Sequence, residues 1–97
     1  MAKAYVLADI DVTDPDAYED YKRLSTEAAE LYDARFLVRG GAAQRLEGER
    51  EPHRLVLLEF EDEAAARRWY DSPEYTKARA VRQRAADSSL LLVSGVS

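Results

Sequence analysis

Residues 4–12, AYVLADIDV, alternate in character. Ala4, Val6, Ala8, Ile10 and Val12 share one side, and Tyr5, Leu7, Asp9 and Asp11 share the other. A period of two is that of a β-strand, whose successive side chains leave opposite faces of the pleat. The period then changes. In TDPDAYEDYKRLSTEAAELY, the residues Tyr18, Tyr21, Leu24, Ala28 and Leu31 recur every three or four positions, which predicts a helix with one apolar stripe. Asp14 is placed to cap that helix. Pro15 suits the first helical position, where no amide hydrogen is needed. Asp16, Glu19 and Asp20 suit the positive end of the helix dipole.

ARFLVRGG reads as a second strand, with Phe36 and Val38 on one face and Arg35, Leu37 and Arg39 on the other. Gly40 and Gly41 stop or bend it, since glycine reaches positive φ without strain. AAQRLEG is expected to continue as a short strand after the bend, with EREP as a turn. HRLVLLEF is a third strand, with Val56, Leu58 and Phe60 opposed to Leu55, Leu57 and Glu59. EDEAAARRWY is a helix begun near Asp62, SPEYTKARAVRQRAA restarts at Ser72 and Pro73, and SSLLLVSGV is the last strand. The order β-α-β-β-α-β predicts an α+β, ferredoxin-like fold: a four-stranded antiparallel sheet with its helices on one face. One such domain is expected to span residues 1–97.

If helices cover only the even-numbered face, the other face is exposed. It carries Tyr5, Leu7, Leu37, Leu55 and Leu57 beside Asp9, Asp11, Arg35, Arg39 and Glu59. That is too apolar for a solvated surface and too charged for a dry core. A second copy packed sheet to sheet about a two-fold axis accounts for both, so a homodimer through the open face is expected.

Composition narrows the function classes. Net charge is −5, which does not favour nucleic acid or anionic lipid as partners. The chain has no cysteine, so disulfides, thiolate metal sites and cysteine nucleophiles are excluded. LLLV is far too short to span a bilayer, and MAKAYVLADI does not read as a signal peptide. A cytoplasmic protein is the default, without membrane or nucleic-acid partners. Residues 1–33 carry nine acids against three bases, and residues 64–97 carry six bases against three acids. Two solvated helix faces explain this; complementary docking between the regions is the sharper alternative. No paired histidine motif, phosphate loop or nucleophile elbow occurs, so no metal or cofactor is expected.

Several residues are candidates for chemistry, each with a plainer structural role beside it. Arg39 is placed to hold a small anion bidentately, or else to pair with Asp9, Asp11 or Glu59 across a dimer. Asp9 and Glu59, on neighbouring strands of a shielded face, are candidate acid and base, as is His53, the one histidine. In WYDSPEY, Ser72 and Pro73 start a helix. Trp69 and Tyr75 either line a pocket mouth or form the aromatic core of a helix joint.

RFLVRGG, the third strand ending in phenylalanine before a capped helix, WYDSPEY and the terminal LLLVSGV together resemble a bacterial family, domain of unknown function 1330, over essentially the whole chain. The resemblance implies membership of the dimeric α/β-barrel superfamily, in which two ferredoxin-like sheets form a barrel. That superfamily includes cofactor-free quinone-forming monooxygenases, muconolactone isomerase-like enzymes, haem proteins and non-enzymes. By position the resemblance points to Arg39, Gly40, Gly41, Trp69, Tyr70, the Ser72–Tyr75 step and Arg82. Where relatives often have glycine before the second strand, this chain has Asp33 and Ala34; aspartate tolerates a left-handed φ better than most residues. The expected function is a homodimer with a pocket for a small organic acid or aromatic metabolite, as a cofactor-free monooxygenase- or isomerase-like enzyme. The alternatives are a non-catalytic ligand-binding or stress-associated dimer, and a module recruiting basic proteins through its acidic first helix.

Overall fold

The computed structural model describes residues 2–96. Its elements are β1 (Ala4–Val12), α1 (Pro15–Leu31), β2 (Arg35–Arg39), β3 (Arg54–Phe60), α2 (Glu63–Asp71), α3 (Pro73–Ala85) and β4 (Ala86–Ser94). The strands form one antiparallel sheet in the order β2-β3-β1-β4. The Cα extents are 34 × 33 × 16 Å, thick enough for one sheet and one layer of helices.

The helix starts follow the local chemistry. Asp14 accepts from the Ala17 amide, Asp62 from the Ala65 amide and Ser72 from the Tyr75 amide, and Pro15 and Pro73 begin α1 and α3. Asp33 takes φ 56°, so the left-handed exit from α1 is made by aspartate. The core lies between the helices and the even-numbered positions of β1 and β3, where Ala4, Val6, Ala8, Ile10, Val56, Leu58 and Phe60 are buried. β4 follows α3 without a loop, two residues earlier than the sequence pattern indicates. The amides of Thr13 and Asp14 donate to the Ala85 carbonyl at 2.8 and 3.0 Å, which ties the α1 start to the α3–β4 junction.

Two expectations are corrected. AAQRLEG is not a strand: residues 40–53 form an irregular exposed connection, because no strand lies beside them to complete a ladder. Second, β2 contains a bulge. Arg35 opposes Glu59 and Phe36 opposes Leu58, but Val38 opposes Leu57 and Arg39 opposes Val56, so Leu37 is the extra residue. One inserted residue reverses the facing of everything after it. Val38 therefore joins the open face, and Arg39 joins the helix-covered face rather than the open one. The acidic N-terminal and basic C-terminal regions pack as α1 on α3 with no ion pair between them among the described residues, which agrees with two solvated faces and not with complementary docking within the chain.

Candidate functional site

Chemistry-bearing side chains gather on both sides of the sheet. On the helix side, α1 contributes Tyr18 and Tyr21, the end of α2 contributes Trp69, and α3 contributes Tyr75 and Arg82, all buried. Ser72 sets the joint: its hydroxyl donates to the Trp69 carbonyl at 2.7 Å and accepts from the Tyr75 amide at 3.0 Å. That turn brings the Trp69 and Tyr75 rings to 4.0 Å between centroids, with Phe60 5.1 Å from Trp69 beneath. The alanines Ala65 and Ala66 leave room for the indole.

The polar end of this cluster is unusual. Arg82 is 4% exposed, and its guanidinium donates to the Tyr75 hydroxyl. No carboxylate pairs with it among the described residues. The Tyr75 and Tyr21 hydroxyls lie 2.9 Å apart. Arginine only donates, so the Tyr75 oxygen must accept. Between the two phenols one hydrogen bond uses one proton. Whichever phenol donates, one hydroxyl proton is left over and is polarised by the guanidinium. Burial, and then the neighbouring Tyr21 phenol, push Tyr75 well above the usual tyrosine range, so it stays protonated. Burial likewise pushes Tyr18 up. Among the described residues, the Trp69 Nε1 and Arg82 Nε protons have no partner.

Tyr21, Tyr75, Tyr18 and Trp69 line a small cavity of about 10 Å³, whose rim is Lys22, Arg39 and Arg54. That is room for about one water molecule. The same three basic residues, with Glu19, Arg23 and Thr26, line an open cleft of about 420 Å³ between α1 and the β2–β3 edge. Arg39 lies over the Phe36 ring, 4.1 Å from its centroid, and donates to the Lys22 carbonyl at 3.0 Å and the Thr26 hydroxyl at 2.8 Å. Arg54 donates through Nε to the Tyr18 hydroxyl at 3.2 Å.

On the open face, His53 meets Asp9: the His53 amide donates to Asp9 Oδ1 at 3.2 Å, and Nδ1 lies 3.2 Å from the same oxygen. Its Nε2 is 3.9 Å from Asp11. Glu59 is not beside Asp9. Asp9 opposes Leu55 while Glu59 opposes Tyr5, four residues along β1, or roughly 13 Å. The two carboxylates do not form a pair. Glu59 instead accepts from the Tyr5 hydroxyl at 3.2 Å, with Arg35 at 3.8 Å. The 40–53 connection overhangs a cavity of about 340 Å³ floored by Leu7, Leu55 and Leu91, with Asp9 and Arg45 among its polar groups.

Of the residues singled out from the sequence, Arg39, Trp69 and Tyr75 thus share one cavity wall, with Arg82 directly behind Tyr75. Asp9 and His53 form a separate group across the sheet, and Glu59 stands apart. Tyr21 and Arg54 were not foreseen. Tyr21 sat in an apolar stripe, where a tyrosine's hydroxyl still requires a partner. Arg54 falls on the same face as Val56, Leu58 and Phe60, and a charge on an apolar face was its signal.

The family model described as "Domain of unknown function (DUF1330)" matches residues 3–96, and the chain belongs to that family. No curated protein matches it. Among solved structures, it is similar to a protein of unknown function from Rhodopseudomonas palustris, at 23% identity over 99% of this chain and 84% of that one, TM-score 0.75. A dimeric ferredoxin-like protein of unknown function from Thermobifida fusca matches at 17% identity over 96% of this chain and 91% of that one, TM-score 0.65. SnoaB, a cofactor-independent oxygenase from Streptomyces nogalater, matches at 14% identity over 100% of this chain and 96% of that one, TM-score 0.58. At these identities the likeness shows the ferredoxin-like fold. No helix among the described residues is long and apolar enough to cross a membrane.

Proposed function

For this member of the DUF1330 family, we propose a homodimer that binds a small organic acid or aromatic metabolite on the helix side of each sheet. The observation that carries the reading is the surplus of donors around one aromatic cavity. Arg82, Tyr75 and Tyr21 hold one more hydroxyl proton than they use, and Arg39 offers a guanidinium at the rim. Such a wall suits an acceptor oxygen at depth and a carboxylate at the mouth. The dimer is supported by the open face, where Leu7, Leu91 and Val93 are 39%, 60% and 47% exposed. Their burial against a second copy would contribute about 25 cal/mol per Å².

A cofactor-free conversion of the monooxygenase or isomerase type fits the same groups. A phenol polarised by a buried guanidinium stabilises negative charge developing on a substrate oxygen, and one protein of this fold is described as a cofactor-independent oxygenase. Non-catalytic binding is the second reading, favoured by the inner cavity's size, which admits a water-sized group and no ring.

The test is a thermal-shift screen of carboxylates, phenols and quinones on the native chain, Arg39→Ala and Tyr21→Phe, with dimer state followed by sedimentation. Compounds that stabilise the native dimer and lose their effect in both variants support the reading; turnover of any of them identifies an enzyme. Equal responses in all three proteins would remove the helix-side cleft from consideration.

A further inference from the structure

The geometry points to a two-guanidinium clamp at the mouth of the helix-side cleft, Arg39 with Arg54, that selects ligands carrying a doubly charged anionic head: a dicarboxylate or a phosphate monoester. This deepens the proposed reading and rests on its assignment of the cleft as the ligand site.

The bulge at Leu37 carries Arg39 to the helix side, opposite Val56, and Arg54 stands two residues before Val56 on the same face of β3. Gly40 joins them physically. It has φ 72°, and a Cβ there would fall on the Arg54 guanidinium. The Arg54 guanidinium therefore lies against the backbone beside Arg39, and the positive φ at Gly40 favours glycine there.

The nearby acids are already engaged. Glu19 pairs with Lys22 at 2.9 Å, and Glu27 lies 3.8 Å from Arg23. Neither Arg39 nor Arg54 has a carboxylate partner among the described residues. Each is held by neutral groups instead: Arg39 by the Lys22 carbonyl, the Thr26 hydroxyl and the Phe36 ring, Arg54 by the Tyr18 hydroxyl through Nε. Among the described residues, the forked end of Arg54 and the Nη1 of Arg39 make no protein hydrogen bond. Neutral holders fix the direction of a guanidinium without cancelling its charge. Two such groups on one wall repel each other, and a ligand with two negative charges relieves that repulsion where a single carboxylate leaves half of it.

The test is calorimetric titration of the native chain at low ionic strength with malonate, inorganic phosphate, acetate and benzoate, repeated on Arg54→Gln and Arg54→Lys. The native chain is expected to bind malonate and phosphate about tenfold or more tighter than acetate. Arg54→Gln is expected to lose that preference while keeping benzoate binding through Arg39. Arg54→Lys, which keeps one charge without the fork, should retain part of it and guards against a folding defect in the glutamine variant. Equal affinity for malonate and acetate on the native chain, or an undiminished preference in Arg54→Gln, would overturn the clamp. If benzoate still binds in that case, the cleft stands without the clamp. If no anion binds the native chain, both readings fall.

Discussion

Tyr21 and Tyr75 lie 54 residues apart in the chain and meet hydroxyl to hydroxyl at 2.9 Å, with the Arg82 guanidinium donating to the Tyr75 oxygen behind them. The contact pins α1 to α3 and gives a buried positive charge its polar surroundings. Tyr75→Phe would leave the Arg82 guanidinium without its acceptor, so a loss of about 1–3 kcal/mol is expected. Tyr21→Phe keeps the Arg82–Tyr75 bond and should cost about 0.5–1.5 kcal/mol. Urea unfolding of both variants measures the difference, and equal losses would contradict the greater weight given to the Arg82–Tyr75 bond.

The alkaline limit of stability follows from the same phenols. Burial raises Tyr75 and Tyr18 above the ordinary tyrosine value of about 10. In the unfolded chain they release protons near the ordinary value, while the folded chain retains them. Their contribution is therefore complete below pH 10 and is lost progressively above it, toward the folded values. Phenolate absorbance from these two rings should appear together with the loss of circular dichroism. Tyr75→Phe should show a shallower decline above that pH.

Arg82 has no carboxylate partner among the described residues, and burial penalises its charge. Arg82→Met fills most of the same volume and removes the charge. Its stability should lie within about 1 kcal/mol of the native chain or exceed it, whereas Arg82→Ala adds a cavity and should cost about 2–4 kcal/mol. Ligand-induced stabilisation should vanish in both. Arg82→Met with normal ligand response would mean that the guanidinium serves packing alone.

Ser72 closes the joint between α2 and α3 with two hydrogen bonds, one to the residue that starts the WYDSPEY cluster and one from the residue that ends it. Ser72→Ala removes the cap and leaves the Tyr75 amide without its acceptor. A loss of about 1–2 kcal/mol is expected, with tryptophan fluorescence altered because Trp69 loses its fixed place against Tyr75.

The dimer is tested on the open face. Leu91→Arg places a charge opposite Leu7 on that face, away from the helix-side cleft. Sedimentation should show monomers, while circular dichroism shows the native secondary structure. A Leu91→Arg protein that remains dimeric would place the interface elsewhere.

The element order, the capping residues Asp14, Asp62 and Ser72, the two-layer arrangement and the apolar side of the sheet were all legible in the sequence. Periodicity and caps depend on neighbours within one turn or one strand, and those are written consecutively. The facing of Arg39 was not legible. A bulge is a mismatch between two strands, and the chain around Leu37 reads as unbroken alternation until β3 is laid beside it. AAQRLEG, residues 42–48, resembled a strand for the same reason, since strand character is completed by a partner and none lies there. The meeting of Tyr21, Tyr75 and Arg82, and the closeness of Arg54 to Gly40, join residues from separate elements. Local pattern determined which residues would turn inward. Packing of α1 on α3, and the shift of one residue in β2, decided which of them touch and so where unpaired charge and a spare hydroxyl proton come together.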